Sequence, residues 1–316
     1  MSVYTNFFGI DIGKFNFVIS LQDAKSTHEY ENSASGITQF IEEYSDVLPN
    51  SLCVLETTGG YELDLLYSLI AQGFKVHRAD TRKVKNFIRS FGTFAKTDAL
   101  DAKALAAYAQ ERAEKLELFE PQSQEAIELF QLVQRRSDLK MTLVAEKNRL
   151  KAPSTKLIED SILAVIEALQ MQMQIITEKI QFLIDQNPVL KKKSEVLKTI
   201  PGIGNIVAFE LLILLPELGT LCRRKIASLA GVAPRANDSG KFNGYRRTGH
   251  GRAGVKPILF LASMAARNSK THLKEFYEKL INNGKKKMVA LTALMRKILV
   301  IANAKIKDIF SLTTHS

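Results

Sequence analysis

The sequence is poor in cysteine, in acidic relative to basic residues, and in long apolar runs. Only Cys53 and Cys222 occur, far apart and each in an apolar setting. Two isolated thiols exclude a disulfide framework and a cysteine-based metal site, and they suit a reducing compartment, with both side chains expected in a core. No apolar stretch reaches the roughly 18 residues of a membrane span, and Phe7-Phe8-Gly9-Ile10-Asp11 arrives with no basic lead or cleavage site. A cytoplasmic protein without a membrane partner is expected. No internal repeat and no low-complexity tail interrupts the chain, so disorder need not be invoked for any large part.

Against 33 Asp and Glu stand 44 Lys and Arg, a formal charge of +11 with a pI near 9.5. That balance favours a polyanionic partner, through phosphate neutralisation and counterion release. Nucleic acid is the first candidate, but ribosome-associated and membrane-surface proteins share such a charge, so motifs must decide. The 316 residues are enough for two compact domains, or for two domains and a helical connector.

Patterning predicts α/β plus α. Tyr4 to Ile12, Phe15 to Leu21, Leu52 to Leu55 and Phe74 to His77 read as strands, with a helix after Tyr61, giving a mixed-sheet domain over 1–118. From Asp98 onward the pattern is helical and no further β structure is expected. In 119–195, Leu132, Leu139, Leu143 and Leu150, then Ile162, Val165, Leu169, Met173, Ile176, Ile180 and Leu183, recur at helical steps on either side of Pro153. This is a helical hairpin or coiled coil, packed either on its own domain or against another copy, since heptads do not reveal their partner. Residues 196–316 form a mostly helical C-terminal domain, broken by a polar, Gly-rich loop from Arg235 to Gly254.

Four acids fall where they can meet. Asp11 ends an apolar strand in Gly9-Ile10-Asp11-Ile12-Gly13, and Glu56 ends a second one before Thr57-Thr58-Gly59-Gly60-Tyr61. Asp98 and Asp101, three apart, share one helix face. Singly each has a bland role: Glu56 could cap the next helix, and Asp98 suits a helix N-cap or first turn. Together, four carboxylates repel unless a hard cation neutralises them, and oxygen ligands are what Mg²⁺ or Mn²⁺ selects. A phosphodiester-cutting site follows. Arg78, Arg82, Lys83, Lys85 and Arg89, with Lys75, cluster nearby as a candidate nucleic-acid track or a solvated face.

These pieces, Gly9 to Lys14, Glu56 to Tyr61 and Lys96-Thr97-Asp98-Ala99-Leu100-Asp101-Ala102, resemble the DEDD transposases. That family includes pilin-gene invertases and insertion-sequence recombinases guided by a bridge RNA. The resemblance implies a RuvC-like ribonuclease H superfold domain, a helical coiled-coil connector, a divalent metal on the four acids, and assembly into a homodimer or homotetramer. Double-stranded donor and target DNA and a structured guide RNA are the partners it implies.

Further on, Thr199-Ile200-Pro201-Gly202-Ile203-Gly204 resembles a helix-hairpin-helix turn, in which Gly202 and Gly204 would let backbone N–H groups approach a phosphate. A plain helix–helix turn would look the same. The stretch 235–256 holds six Lys or Arg and one Asp, so Arg235, Lys241, Arg246, Arg247 and Arg252 are candidate phosphate ligands. This block is similar to the family's C-terminal transposase domain, whose nucleophilic serine maps onto Ser239; without the resemblance, Ser-Gly here is an ordinary turn. A Holliday-junction resolvase-like nuclease with an idle serine, or a non-catalytic nucleic-acid binder, would share parts of the pattern.

Overall fold

The computed structural model describes residues 4–90, 92, 97–152, 156–240 and 242–313. Lys96, Pro153 and Lys241 lie outside the described residues. The chain divides into two compact units, Met1–Gln122 and Ser123–Ser316.

The first unit holds β1 (Asn6–Ile12), β2 (Asn16–Leu21), β3 (His28–Glu31), α1 (Ala34–Glu43), β4 (Ser51–Glu56), α2 (Leu63–Ala71), β5 (Lys75–Ala79), α3 (Thr81–Ser90) and α4 (Asp98–Arg112). Its five strands lie in the order β3-β2-β1-β4-β5, with β1–β2 and β2–β3 antiparallel and β1–β4 and β4–β5 parallel. The central strands β1 and β4 are buried on both faces, which is why they read as continuous apolar runs. Alternation then sorts their side chains. Phe8, Ile10, Cys53 and Leu55 join one core with Phe40 and Leu66, while Phe7, Leu52 and Val54 join another with Phe87, Leu105 and Tyr108. Burial pushes the Cys53 thiol up to about 12.

Gly9 lies on the second face, and there α4 comes down on β1. A Cβ at Gly9 would stand 2.1 Å from the Ala102 carbonyl oxygen and 2.2 Å from the Ala106 nitrogen. The alanines that make α4 a strong helix former also leave it narrow enough to seat its backbone on the glycine. Its start is fixed by Thr97, whose hydroxyl accepts from the Leu100 N–H at 3.2 Å, and Asp98 and Asp101 fill the first turn, where the helix dipole favours acids.

The second unit is almost wholly helical: α5 (Gln124–Lys151), α6 (Glu159–Gln186), α7 (Pro188–Lys198), α8 (Asn205–Leu214), α9 (Arg223–Leu229), α10 (Val255–Ala266), α11 (His272–Asn282) and α12 (Lys287–Thr313). At one end α5 and α6 pair through Leu143, Ile162 and Ile166. At the other, Leu129, Val133, Ile180 and Ile184 enter the main core formed with α7 to α12. Buried Arg136 ties them together, donating to the Thr177 hydroxyl and to the Glu210 carboxylate, both at 2.9 Å, with its guanidinium 5.8 Å from the Phe209 ring. Burial raises the Glu210 carboxyl above the usual range, with Arg136 opposing the rise.

Three sequence expectations change. An edge strand, β3, appears where only Tyr30 is buried, too short a pattern to stand out. β structure also returns after Asp98: β6 (Asp238–Ser239) and β7 (Phe242–Asn243) pair antiparallel within the stretch expected to be loop, turning through Gly240. Cys222 is exposed at the N-terminus of α9 rather than in a core, and backbone N–H groups of Lys225 and Arg224, with their charges, hold its thiol below the ordinary value. Among the described residues no helix is long and apolar enough to cross a membrane.

Gly9→Ala forces the Ala102–Ala106 backbone away from β1 and should destabilise the protein by about 1–3 kcal/mol, a typical overpacking cost. Gly59→Ala, where an added Cβ meets nothing within 4 Å, should stay within about 0.5 kcal/mol of the parent. Urea unfolding followed by circular dichroism reads both; equal stability for the two variants would refute the close approach.

Candidate active site and nucleic-acid interface

The registered pairs of β1 and β4 end at Ile10 opposite Leu55. Asp11 and Glu56 each come one residue later, so they leave neighbouring parallel strands on the same face of the sheet, the face that α4 covers. Asp98 and Asp101 reach that place from the first turn of α4. All four acids line one cleft of about 1090 Å³. Within it they are not tightly gathered: among the described residues no three His, Cys, Asp or Glu side chains form a group that could hold a metal ion as it stands. As a donor set, four carboxylates on one cleft wall suit a hard divalent cation and no soft one.

The cleft adds residues that sequence reasoning missed. Glu29 on β3 is a fifth acid on its lining, hydrogen-bonded by Asn16. Phe15 stands at the turn between β1 and β2, 74% exposed, with the Lys14 ammonium 5.1 Å from its ring. An exposed aromatic beside a lysine is the one signal that could have marked this rim.

The side chains of the basic stretch do not all face one way. Lys85 and Arg89, four apart on α3, both line the acid cleft. Lys83 instead faces a separate pocket of about 550 Å³ with His77, Arg112 and Lys115. Arg82 pairs with Asp80 at 3.4 Å. Arg78, in register with Leu55 and thus on the sheet face away from the acids, grips the fully buried Glu62. Although burial pulls the Glu62 carboxyl upward, hydrogen bonds from Thr58 and Arg78 hold it below the usual range.

In the second unit Gly202 has φ +91°, and a Cβ there would lie 2.3 Å from the Ala262 carbonyl oxygen. Its conformation serves packing on α10. Gly204 is exposed, with nothing within 4 Å of an added Cβ, and opens α8 without a side-chain cap. Ser239 is exposed beside the turn of the β6–β7 hairpin, opposite Phe242. Asp238, on the same strand, pairs with Arg246 at 3.4 Å. Arg235 and Arg247 are joined by a backbone bridge, extending the hairpin into a ribbon while both side chains stay exposed. Arg252 is committed elsewhere: it donates to the Leu214 carbonyl at 2.8 Å and grips Glu217 with two nitrogens.

Comparison with known proteins finds matches in both units. A transposase family model of the IS110 DEDD type matches residues 8–153, and the model of the transposase IS116/IS110/IS902 family matches residues 194–278. The pilin gene-inverting proteins of Moraxella lacunata and Moraxella bovis are each 27% identical over 315 residues, covering 96% of this chain and 96% of theirs.

Arg252→Ala removes a charge-assisted bond pair that holds the ribbon's end and should cost about 1–3 kcal/mol of stability. Arg235→Ala should leave stability unchanged and instead flatten the salt dependence of DNA binding by about one unit of slope. Thermal melts and anisotropy titrations across salt separate the two; a destabilised Arg235→Ala would reverse the assignment.

Proposed function

The chain belongs to the IS110-type transposase and invertase family and is a DNA recombinase, and from that premise we propose that it cuts DNA by attack of the Ser239 hydroxyl, aided by a divalent cation on Asp11, Glu56, Asp98 and Asp101. One observation carries the acid half of this reading: acids from two central strands and a helix line a single cleft. The sheet order, with carboxylates at the ends of β1 and β4, supports a RuvC-like ribonuclease H domain over 1–118. In the same reading 119–195 is the assembly arm and 196–316 the serine-bearing domain.

A cation held by the four carboxylates, Mg²⁺ or Mn²⁺, supplies Lewis-acid charge against the phosphate. The chain's own groups do the rest. Ser239 Oγ forms a bond to phosphorus as the bond to one sugar oxygen breaks; its proton passes to a carboxylate, and the departing oxygen takes up a proton. The phosphoserine diester keeps the bond energy, so a sugar hydroxyl from another strand can displace the serine without ATP. Arg235, Arg246 and Arg247 sit on the ribbon that carries Ser239, suited to charge gathering on the phosphate oxygens.

Strand exchange needs more than one cutting centre, and the helical arm offers a seam for a second copy. Met141, Val144, Met171, Ile175 and Phe182 on α5 and α6 are at least 50% exposed, an apolar surface that a homodimer or homotetramer would cover. A structured guide RNA is the further partner of this reading, supported by the charge of +11.

With Ser239→Ala, DNA binding should persist while the covalent protein–DNA adduct and recombination vanish. Loss of an outer-shell partner alone costs metal sites about 10–100-fold, so Asp11→Ala should slow cleavage by more than about 100-fold. Chelation should stop the reaction, and Mg²⁺ or Mn²⁺ should restore it. Mass spectrometry of trapped adducts decides: an adduct on another residue refutes the serine assignment, and water-terminated products without adduct favour a resolvase-like nuclease.

A further inference from the structure

Beside the serine ribbon the second unit has a groove of about 1070 Å³, of whose lining the proposed cleavage step uses only Arg246 and Arg247. Its walls are the start of α9, the ribbon after β7, and one long face of α12. Six cations line it: Arg223, Arg224, Arg246, Arg247, Arg296 and Lys297. No carboxylate does so among the described residues, and of the six only Arg246 is in a salt bridge there, with Asp238. Lys297 is held in place by Phe276, its ammonium 4.0 Å from the ring centroid.

The floor is different. On α12, Met288 and Val289 before the cations and Val300 and Ile301 after them line the same groove. Met288 is 59% exposed, and Tyr245 on the facing ribbon is 69% exposed. A ligand that satisfies this lining must bring both anionic charge at close spacing and flat apolar surface. Duplex DNA offers the first only, because its base faces are stacked inside. An unpaired strand offers both, a phosphate at every step and a base face free to stack on an aromatic ring.

We infer that this groove holds a stretch of unpaired nucleic acid, with phosphates on the arginines and a base against Tyr245 and the apolar face of α12. The inference rests on the recombinase reading, and it gives that reading a means of holding a separated strand. Tyr245, Arg246 and Arg247 follow β7 after Gly244, so the strand in the groove lies along the same ribbon as Ser239. A guide or a DNA strand opened for exchange shares the chemistry the groove recognises.

The test uses the full chain in chelator, so that nothing is cut. A labelled single-stranded DNA oligonucleotide, its RNA counterpart and the same sequence as a blunt duplex are titrated by fluorescence anisotropy. Tyr245→Ala should weaken single-strand binding about tenfold while leaving duplex binding within about twofold, and Tyr245→Phe should restore it, because stacking needs the ring and not the hydroxyl. Arg296→Ala should weaken single-strand binding and lower its salt slope by about 0.7. Preference of the unmodified protein for the RNA or the DNA strand names the source. Equal losses on single strand and duplex, no loss in either arginine or tyrosine variant, or displacement of the strand by polyglutamate at equal charge concentration would each overturn the proposal. Since no cutting is read, failure here leaves the Ser239 adduct experiment to stand or fall independently.

Discussion

Where α4 meets β1, the two backbones come so close that no side chain fits between them at Gly9. Sheet and helix in most α/β layers are kept apart by interleaved side chains, and a carboxylate on the strand would then be a long reach from one on the helix. Here the separation collapses at one residue, and the helix start capped by Thr97 is carried to the end of β1. The acid cleft is a by-product of that contact. Its members come from backbone segments rigid enough to hold them, two adjacent parallel strands and a capped helical turn, so their sharing of one cleft is imposed by packing rather than assembled by attraction.

The same division of labour separates cations that hold the protein together from those left for a ligand. Arg78, Arg136 and Arg252 each face a carboxylate in or near the interior, at Glu62, Glu210 and Glu217. The buried members, Glu62 with Arg78 and Arg136 with Glu210, contribute little net stability but are expensive to break, because a carboxylate is left charged and dry, whereas Arg252 and Glu217 are each about one-third exposed. They fix geometry. Lys85, Arg89, Arg223 and Arg296 make no salt bridge among the described residues and line clefts instead. A net charge of +11 therefore understates how unevenly positive charge is offered to a partner.

Much of the first unit was legible in advance, for a physical reason. Central strands buried on both faces write unbroken apolar runs, and acids at their ends stand out against them, so Asp11, Glu56 and the spacing of Asp98 and Asp101 could be read directly. What could not be read was partner choice. Arg78 and Lys85 look alike in sequence, yet strand register turns the first to Glu62 and the helical phase of α3 turns the second to the cleft. Gly202 suggested a phosphate turn, while its backbone is pressed on Ala262. Cys222 follows Leu221 but stands at the exposed N-terminus of α9, next to Arg223 and Arg224, while the buried face of that helix is carried by Ile226 and Ala227. The β6–β7 hairpin escaped because two residues per strand is too short for any period to register.

That hairpin has a kinetic meaning. Ser239 hangs on a ladder of two residue pairs, anchored at its far end by Arg252 and braced by the Arg235–Arg247 bridge. So short a ladder contributes almost no cooperativity of its own, and it opens with a free energy near that of ordinary loop fluctuation while the helices beneath stay closed. In the proposed serine mechanism the hydroxyl would then explore many positions in the time a strand remains bound, and the scarce event would be the coincidence of the right phosphate with the right excursion. Under that proposal timing would pass from the serine to the partner that docks, which suits an enzyme whose errors would be written into DNA.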